Sequence, residues 1–424
     1  MSPPPPPQDA GGLSLAPFRA LRPTADTDRL GRLLCPPYDV IDAELRATLL
    51  ADDSANAVGV ILPEPTPDGY AAAARRLADE VANGLYASDE SAALFVYEMR
   101  DPSGHATRGL LGALELRAPE DGVILPHENT MAGPVADRLA VMTATGTDLE
   151  PIYLVYDGGG AASDLVRHAS DDTPVALAVT RDGVEHRLWR VAEAAALAAV
   201  AQDLTTRRAL IADGHHRYAT YRERQRLGRE ATGPGPWDRG LALLVDSTDY
   251  GPQVHAIHRV VNDVSLAEAL SRLGDLDVTV FERRSPEDAL ADLPVGPAFA
   301  AVLTNSVRTF VLEDAKGTLA QLARRTDDPP ELAGLDVSVL HRGLVERVWQ
   351  LADNVDTVHY AHSLGEALRA ALASDGFAVL LRPTPVQAVA AVAAAGARMP
   401  RKSTLFTPKP ASGLVMRRLA DQLS

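Results

Sequence analysis

Residues 208–222 constrain the fold of this chain more than any other stretch. Residues 209–212, Ala-Leu-Ile-Ala, form a short apolar run that predicts a buried strand, and a helical pattern follows Asp213 and Gly214 directly. A helix that opens straight from a strand presents its unpaired backbone N–H groups and the positive end of its dipole at one point. The sequence therefore predicts a strand–turn–helix unit that suits a bound anion.

The residues of this turn favour phosphate as the anion. Gly214 lets the backbone approach a ligand closely, and we expect it to bind donor phosphates. His215, His216 and Arg217 add side-chain donors, and arginine can grip two phosphate oxygens at once. Asp213 is expected to accept a proton or bind magnesium, although an aspartate here could simply cap the helix. A site of the zinc type fits less well, because adjacent helical side chains point about 100 degrees apart.

Charge and cysteine content limit which partners and which cellular compartment we expect. The chain has 424 residues, with 41 Lys and Arg against 57 Asp and Glu, which gives a formal charge of −16. Non-specific attraction to nucleic acid is therefore not expected, and any anion site must be local. Cys35 is the only cysteine, which fits a reducing cytoplasm. The sequence shows neither a signal peptide nor an apolar run long enough to cross a bilayer, so we expect a cytoplasmic protein with no membrane partner.

The apolar patterns predict a mixed fold, α+β together with α/β, in four parts. Residues 1–14 are rich in proline and predict a disordered tail. Residues 15–263 predict a mixed α/β phosphate-binding core, in which residues 58–62 read as a strand. Helices and strands alternate over residues 264–398, which predicts an α/β layer packed against the core. Residues 399–424 form a C-terminal segment that we expect to return to the active site.

Other candidate site residues lie outside the focal turn. A rigid proline turn at residues 36–39 and a strand end at residues 126–130 place polar groups where site residues commonly project. For residues 36–39 the structural alternative is an ordinary capped turn. For residues 398–404 it is a solvated basic tail. The residues expected to contact substrate are Tyr38, Asp39, His127, Thr130, His258 and Arg259. Those expected to close over the donor phosphates are Arg401, Lys402, Ser403 and Thr404.

Six short motifs occur in order between residues 17 and 415. They are Pro17-Phe18-Arg19-Ala20-Leu21, Pro36-Pro37-Tyr38-Asp39-Val40-Ile41, Pro126-His127-Glu128 with Thr130, Asp137-Arg138-Leu139, Ala212-Asp213-Gly214-His215-His216-Arg217-Tyr218, and Met399-Pro400-Arg401-Lys402-Ser403-Thr404. Together they resemble the family known as domain of unknown function 1015. The chain departs from the family pattern at Arg401, where an uncharged residue is expected, and at Asp148, where asparagine is expected.

The Asp-Gly-His-His-Arg motif also resembles the phosphate-binding strand–turn–helix of the ParB/sulfiredoxin superfamily. That superfamily includes free-serine kinases that use ADP, ATP or pyrophosphate as phosphoryl donor. The resemblance implies a ParB/sulfiredoxin-like core. It also implies catalytic roles for Glu128 and Asp213, which match a glutamate and an aspartate implicated in catalysis in those kinases.

The sequence thus leads to the hypothesis of a small-molecule kinase. It would transfer a phosphoryl group from a nucleotide or pyrophosphate to an amino-acid hydroxyl, with L-serine as the expected acceptor and O-phosphoserine as the product. Mg²⁺ is expected with the donor, and Asp213 is its expected ligand. A non-catalytic nucleotide-binding regulator of the same superfamily is the alternative, whereas the charge of −16 disfavours a nuclease. Residues 122–130, 209–218 and 399–404 should converge on one pocket, while donor, oligomeric state and pathway stay open.

Overall fold

The computed structural model describes residues 11–423, which divide into two compact units. Unit 1 comprises residues 11–252 together with the segment from residue 408 onwards, and unit 2 comprises residues 253–407. Unit 2 is therefore an insertion within the chain of unit 1. Both domain boundaries predicted from the sequence, after residues 263 and 398, fall inside unit 2.

A nine-stranded mixed sheet forms the centre of unit 1, in the order β6-β11-β8-β12-β5-β4-β10-β9 with β1 on β5. Strand β11 runs parallel to β6 and antiparallel to β8, and β8 runs parallel to β12. A separate two-stranded sheet joins β2 and β3. The strand bounds are β1 Leu15–Ala16, β2 Leu21–Pro23, β3 Tyr86–Ser88, β4 Leu94–Arg100, β5 Ala106–Glu115, β6 Ile124–Leu125, β7 Thr147–Asp148, β8 Ile152–Tyr156, β9 Ala176–Val179, β10 Glu185–Val191, β11 Ala209–Asp213 and β12 Arg239–Asp246.

The helices of unit 1 include one segment that the sequence predicted as a strand. Residues 58–61 are helical, so the strand prediction is wrong there. The Asn56 side chain accepts the Val58 N–H and donates to the carbonyls of Arg32 and Leu34, which starts a helical turn that periodicity alone could not show. The helix bounds are α1 Thr27–Leu33, α2 Ala43–Asp52, α3 Val58–Ile61, α4 Pro67–Ala82, α5 Ala132–Thr145, α6 Gly160–His168, α7 Ala194–Leu204 and α8 His215–Thr232.

The main core of unit 1 surrounds the strands β8, β11 and β12. Their apolar residues are buried, and side chains of α5, α6, α7 and α8 belong to the same cluster. Near-continuous apolar runs of this kind are typical of strands that are covered on both faces. The strand that leads into the focal turn is therefore anchored in the best-packed part of the unit.

Most of the predicted N-terminal tail, residues 1–10, lies outside the described residues. In the part that the structure describes, Gly12 and Leu13 donate their backbone N–H groups to the carbonyls of Thr205 and Arg207. Leu13 is buried in the main core of unit 1. Residues 12 and 13 are thus part of the folded unit.

Unit 2 contains a six-stranded sheet in the order β15-β17-β16-β19-β14-β18. The predicted alternation of helices and strands is present, but every strand pair of this sheet is antiparallel. Among residues 11–423, no helix is both long enough and apolar enough to cross a membrane. The strand bounds of unit 2 are β13 Gln253–His255, β14 His258–Val261, β15 Thr279–Arg283, β16 Phe299–Thr304, β17 Thr309–Asp314, β18 Val358–Ala361, β19 Phe377–Leu380 and β20 Leu405–Thr407.

The helices of unit 2 are short, and one of them is a π-helix over Val339–Val348. The α-helix bounds are α9 Leu266–Ser271, α10 Pro286–Ala291, α11 Thr318–Ala323, α12 Pro330–Ala333, α13 Asp336–Ser338, α14 Leu364–Ala373 and α15 Val386–Ala394. Beyond unit 2, the last strand, β21 Arg417–Arg418, pairs with β7 in unit 1.

Candidate functional site

The ends of two neighbouring parallel strands define the candidate site. In the sheet of unit 1, Ala209 of β11 lies opposite Ile124 of β6, and Leu210 lies opposite Leu125. Because parallel strands end at the same edge of a sheet, the loop after β6 and the turn after β11 emerge side by side. The predicted segments 122–130 and 209–218 therefore meet at this edge.

Gly214 forms the turn between β11 and α8. Its φ of 92° and ψ of 31° lie in the left-handed region that glycine adopts without steric cost. A Cβ atom at this position would also lie 3.0 Å from Nε of Arg217. Helix α8 has 18 residues, and its N-cap residue, Gly214, has no side chain that could cap it. The first N–H groups and the positive dipole end of this helix therefore lie at the turn.

Asp213 lies one residue before the N-cap of α8, Gly214, and a cation binds each of its oxygens. Arg217 donates from Nη2 to Oδ2 over 2.5 Å, and Lys409 donates from Nζ to Oδ1 over 2.7 Å. Nζ of Lys409 also lies 3.4 Å from Oδ2 of Asp39. Burial lowers the pKa of Arg217 and of Lys409, but the nearby carboxylates outweigh it and hold both pKa values above their ordinary range. Asp213 therefore lies between two side chains that keep their positive charge.

The sequence predicted that Arg217 would bind two phosphate oxygens, but in the structure it binds groups of the protein. Its side chain is 1% exposed, and Nη1 donates to the carbonyl of Pro151 while Nη2 binds Asp213. The guanidinium is thus committed to protein acceptors at both ends. Lys409, which motif reasoning missed, is the cation that joins this turn to the proline turn at Asp39. Only its spacing between Pro408 and Pro410 marks it in the sequence.

Tyr38 and Asp39 lie beside this ionic cluster. The backbone N–H of Tyr38 donates to Oε1 of Glu150 over 3.1 Å, and the Tyr38 ring lies 4.2 Å from the guanidinium carbon of Arg138. Burial raises the pKa of Tyr38 to about 12, with Arg217 opposing that shift. The phenol therefore stays protonated at neutral pH and can donate a hydrogen bond.

The loop after β6 contacts the first turn of α8 at two points. The backbone N–H of His127 donates to Nε2 of His215 over 3.3 Å, and that of Met131 donates to Nε2 of His216 over 3.1 Å. Glu128 is half-buried between these contacts, and Thr130 is exposed. His127 is fully buried, so its ring faces the protein interior, where it packs at 88° on the His215 ring.

His258 and Arg259, expected at the substrate, are interior residues of unit 2. Burial lowers the pKa of His258 to about 4, and its Nδ1 accepts the N–H of Leu381. Arg259 donates to the carbonyls of Ile257 and Lys402 and to Nε2 of His341. These contacts fit a positioning role better than a substrate contact, because the donors and acceptors are already engaged.

The predicted donor-binding segment at residues 401–404 belongs to unit 2. Lys402 has a left-handed φ of 54°, which is uncommon for a residue with a side chain. Arg259 holds this conformation through the Lys402 carbonyl, and the side chains of Arg401 and Lys402 are exposed. Ser403 is buried, and its hydroxyl donates to the Pro400 carbonyl over 2.5 Å. That these residues and Thr404 contribute to a shared pocket remains a prediction.

The residues present do not fit a magnesium site at Asp213. Among residues 11–423, no group of three or more His, Cys, Asp or Glu side chains is placed to hold a metal ion. Both oxygens of Asp213 are already bound by cations. A divalent ion at this carboxylate would lie beside Lys409 and Arg217, whose positive charges would repel it.

The family model described as Protein of unknown function (DUF1015) matches residues 15–338. The chain belongs to this family. The resemblance to DUF1015 is thereby confirmed over most of the chain, including the first five motifs, whereas the motif at residues 399–404 lies beyond the matched residues. No curated protein matches this DUF1015 chain.

Several solved structures show a distant similarity to this DUF1015 protein. A free serine kinase in complex with AMP has 16% identity, covering 67% of this chain and 83% of that chain, with a TM-score of 0.34. A conserved hypothetical protein from Pyrococcus furiosus has 16% identity, covering 71% and 94%, with a TM-score of 0.34. SbnI with a C-terminal truncation, from Staphylococcus aureus, has 13% identity, covering 73% and 88%, with a TM-score of 0.36.

Proposed function

We propose that this DUF1015 protein is a phosphotransferase. It moves a phosphoryl group from a nucleotide or pyrophosphate to the hydroxyl of a small molecule, with L-serine as the expected acceptor. The observation that carries the proposal is the edge shared by β6 and β11, where the N-terminus of α8 lies beside the loop of Glu128. An anion cradle next to a carboxylate is what phosphoryl transfer to a hydroxyl requires.

The backbone of the focal turn supplies the anion cradle. Gly214 allows a phosphate to approach the first N–H groups of α8 without a side chain in the way. Asp213 directly before it would repel a phosphate if its charge were not balanced. Arg217 and Lys409 provide that balance, so their first effect on the donor is to neutralise Asp213.

Glu128 is the proton acceptor in this proposal. The acceptor hydroxyl oxygen attacks the donor phosphorus and gives its proton to the Glu128 carboxylate. The bond from phosphorus to the bridging donor oxygen breaks, and the leaving phosphate or nucleotide takes the electron pair. Asp213 is the weaker candidate for this role because Arg217 and Lys409 already bind its two oxygens. Mg²⁺ would be expected to arrive with the phosphate oxygens of the donor. No step of the proposal depends on its binding to Asp213.

One experiment separates this function from its alternative. Purified protein is incubated with Mg²⁺, a panel of amino acids and ATP, ADP or pyrophosphate, and phosphorylated amino acids are sought by mass spectrometry. Calorimetric titration of each donor runs in parallel, with nucleotides included because the free serine kinase among the similar structures is in complex with AMP. We expect O-phosphoserine with at least one donor. Donor binding without any product would favour the nucleotide-binding regulator, and the absence of both would overturn the assignment of an anion site.

A further inference from the structure

The backbone on either side of Glu128 is held by the two histidines that open α8. Nε2 of His215 accepts the N–H of His127, the residue before Glu128. Nε2 of His216 accepts the N–H of Met131, three residues after it. The perpendicular packing of the His127 and His215 rings, with centroids 4.5 Å apart, adds a third contact. The loop is therefore attached to the helix both before and after its carboxylate.

Each of these hydrogen bonds depends on a lone pair at Nε2 of the accepting ring. A ring nitrogen that accepts an N–H must keep its lone pair, and a doubly protonated ring could not accept either bond. Protonation of Nε2 would therefore break the contact of that histidine with the loop.

The spacing of the histidines explains why both are needed. Adjacent helical residues project about 100 degrees apart, which prevents His215 and His216 from chelating one ion. The same divergence lets the two rings reach two backbone groups that lie apart along one loop. Two contacts restrict the loop more than one would, because a single contact leaves the chain free to pivot.

We propose that His215 and His216 are positioning residues that set the place of Glu128 by accepting backbone hydrogen bonds from its loop. The proposal rests on the proposed function for the role of Glu128, but the attachment itself can be measured without any reaction. It couples the anion cradle to the proton acceptor, since both histidines belong to the first turn of α8. Distortion of that turn would move the carboxylate as well.

Hydrogen–deuterium exchange of the Met131 amide tests the attachment directly. His216→Ala removes the acceptor, and exchange at Met131 should become about fivefold faster or more, as expected for the loss of one net hydrogen bond. His216→Gln retains an acceptor oxygen at similar reach and should restore most of the protection. His168→Ala, at an exposed histidine on α6, is the matched control and should leave Met131 unchanged. Unchanged exchange in His216→Ala would overturn the proposal.

Kinetics then separate positioning from phosphate binding. His216→Ala should lower kcat by about tenfold or more, since misplacing a general base forfeits part of its contribution, while the donor Kd changes less than about twofold. His216→Gln should recover kcat. A tenfold weaker donor complex with unchanged kcat would make His216 a phosphate ligand and refute the positioning role. If the wild-type protein transfers no phosphoryl group, the proposed function fails, whereas the exchange result still decides whether the histidines hold the loop.

Discussion

Glu128 and Asp213 follow neighbouring strands of one sheet edge. Asp213 is bound by Arg217 and Lys409, and the loop of Glu128 is attached to α8 through the backbone of His127 and Met131. In the proposed function the two carboxylates take different roles, with Glu128 as the proton acceptor.

Replacing Glu128 tests the assignment of the proton acceptor. Glu128→Gln keeps the size of the side chain and removes its basicity. We expect turnover to fall by at least about 10²-fold, the low end for a general base, with little change in donor affinity. Steady-state kinetics and calorimetry measure the two quantities. Wild-type turnover in this variant would show that another group takes the proton.

Replacing Lys409 tests the charge balance at Asp213. Lys409→Ala leaves a largely buried carboxylate with one cation fewer, so we expect a loss of about 2 kcal/mol in the free energy of unfolding. Donor affinity should also fall, by about tenfold, because Asp213 would then repel the phosphates. Urea unfolding and calorimetry provide the measurements.

Lys316 offers a matched control for Lys409. Its ion pair with Asp277 is exposed, with side-chain accessibilities of 70% and 64%. Lys316→Ala should therefore change the unfolding free energy by less than about 1 kcal/mol and leave donor affinity unaltered. Equal effects of the two variants would mean that the Lys409 pair contributes no more than a surface contact.

At the scale of elements, the turn from β11 into α8 depends on one glycine. Gly214→Ala would place a Cβ in the left-handed region and within 3.0 Å of Nε of Arg217. We expect a loss of about 1–2 kcal/mol of unfolding free energy and a weaker donor complex, because the helix N-terminus must shift. Thermal unfolding and donor titration measure both.

Gly133 provides the comparison for Gly214. It lies in the first turn of α5, has no positive φ, and a Cβ there would meet no described atom within 4 Å. Gly133→Ala should be neutral or should stabilise the protein by up to about 1 kcal/mol. A similar loss of unfolding free energy in both variants would indicate a general effect of alanine near a helix N-terminus. The turn at Gly214 would then have no specific need for glycine.

At the scale of the whole molecule, the segment after unit 2 completes unit 1. Ser412 and Cys35 exchange backbone hydrogen bonds, and Met416 does the same with Leu21. Arg417 binds buried Asp148, the position where the family pattern expects asparagine. The charge at residue 148 is therefore matched by arginine within the fold. Lys409 reaches Asp213 only because this segment returns to unit 1.

Each unit contains a buried histidine that should make the whole protein sensitive to acid. Burial lowers the pKa of His186 in unit 1 and of His258 in unit 2 to about 4, against about 6.5 in an unfolded chain. Below pH 6.5 the unfolded state binds protons that the folded state does not. Stability from these groups is thus fully present above pH 6.5 and is lost as the pH falls towards 4.

Urea unfolding between pH 7 and pH 4.5 measures this effect. The urea concentration at the unfolding midpoint should fall as the pH falls. In His186→Gln the midpoint of unit 1 should depend less steeply on pH, because glutamine cannot take up the proton. His168→Ala, which removes an exposed histidine, should leave the slope as in the wild type. An unchanged slope in His186→Gln would show that other groups cause the acid sensitivity.

The sequence by itself determined most local structure and the place of the turn between β11 and α8. Apolar periodicity and turn residues located β11, α8 and the strand before Glu128, because side-chain burial and glycine conformation act over a few residues. The short run at 58–62 was misjudged, since the Asn56 contacts that make it helical involve residues more than twenty positions away.

The tertiary structure alone decided which side chains act on each other. The pairing of Lys409 with Asp213 spans 196 positions, and the contacts of His215 and His216 with the Glu128 loop span 88 and 85. Ion pairs and backbone hydrogen bonds between such distant positions leave no periodic trace in a sequence, because they depend on strand order and register. Parallel pairing of β6 with β11 is the feature that brings the two predicted polar segments together in one candidate site.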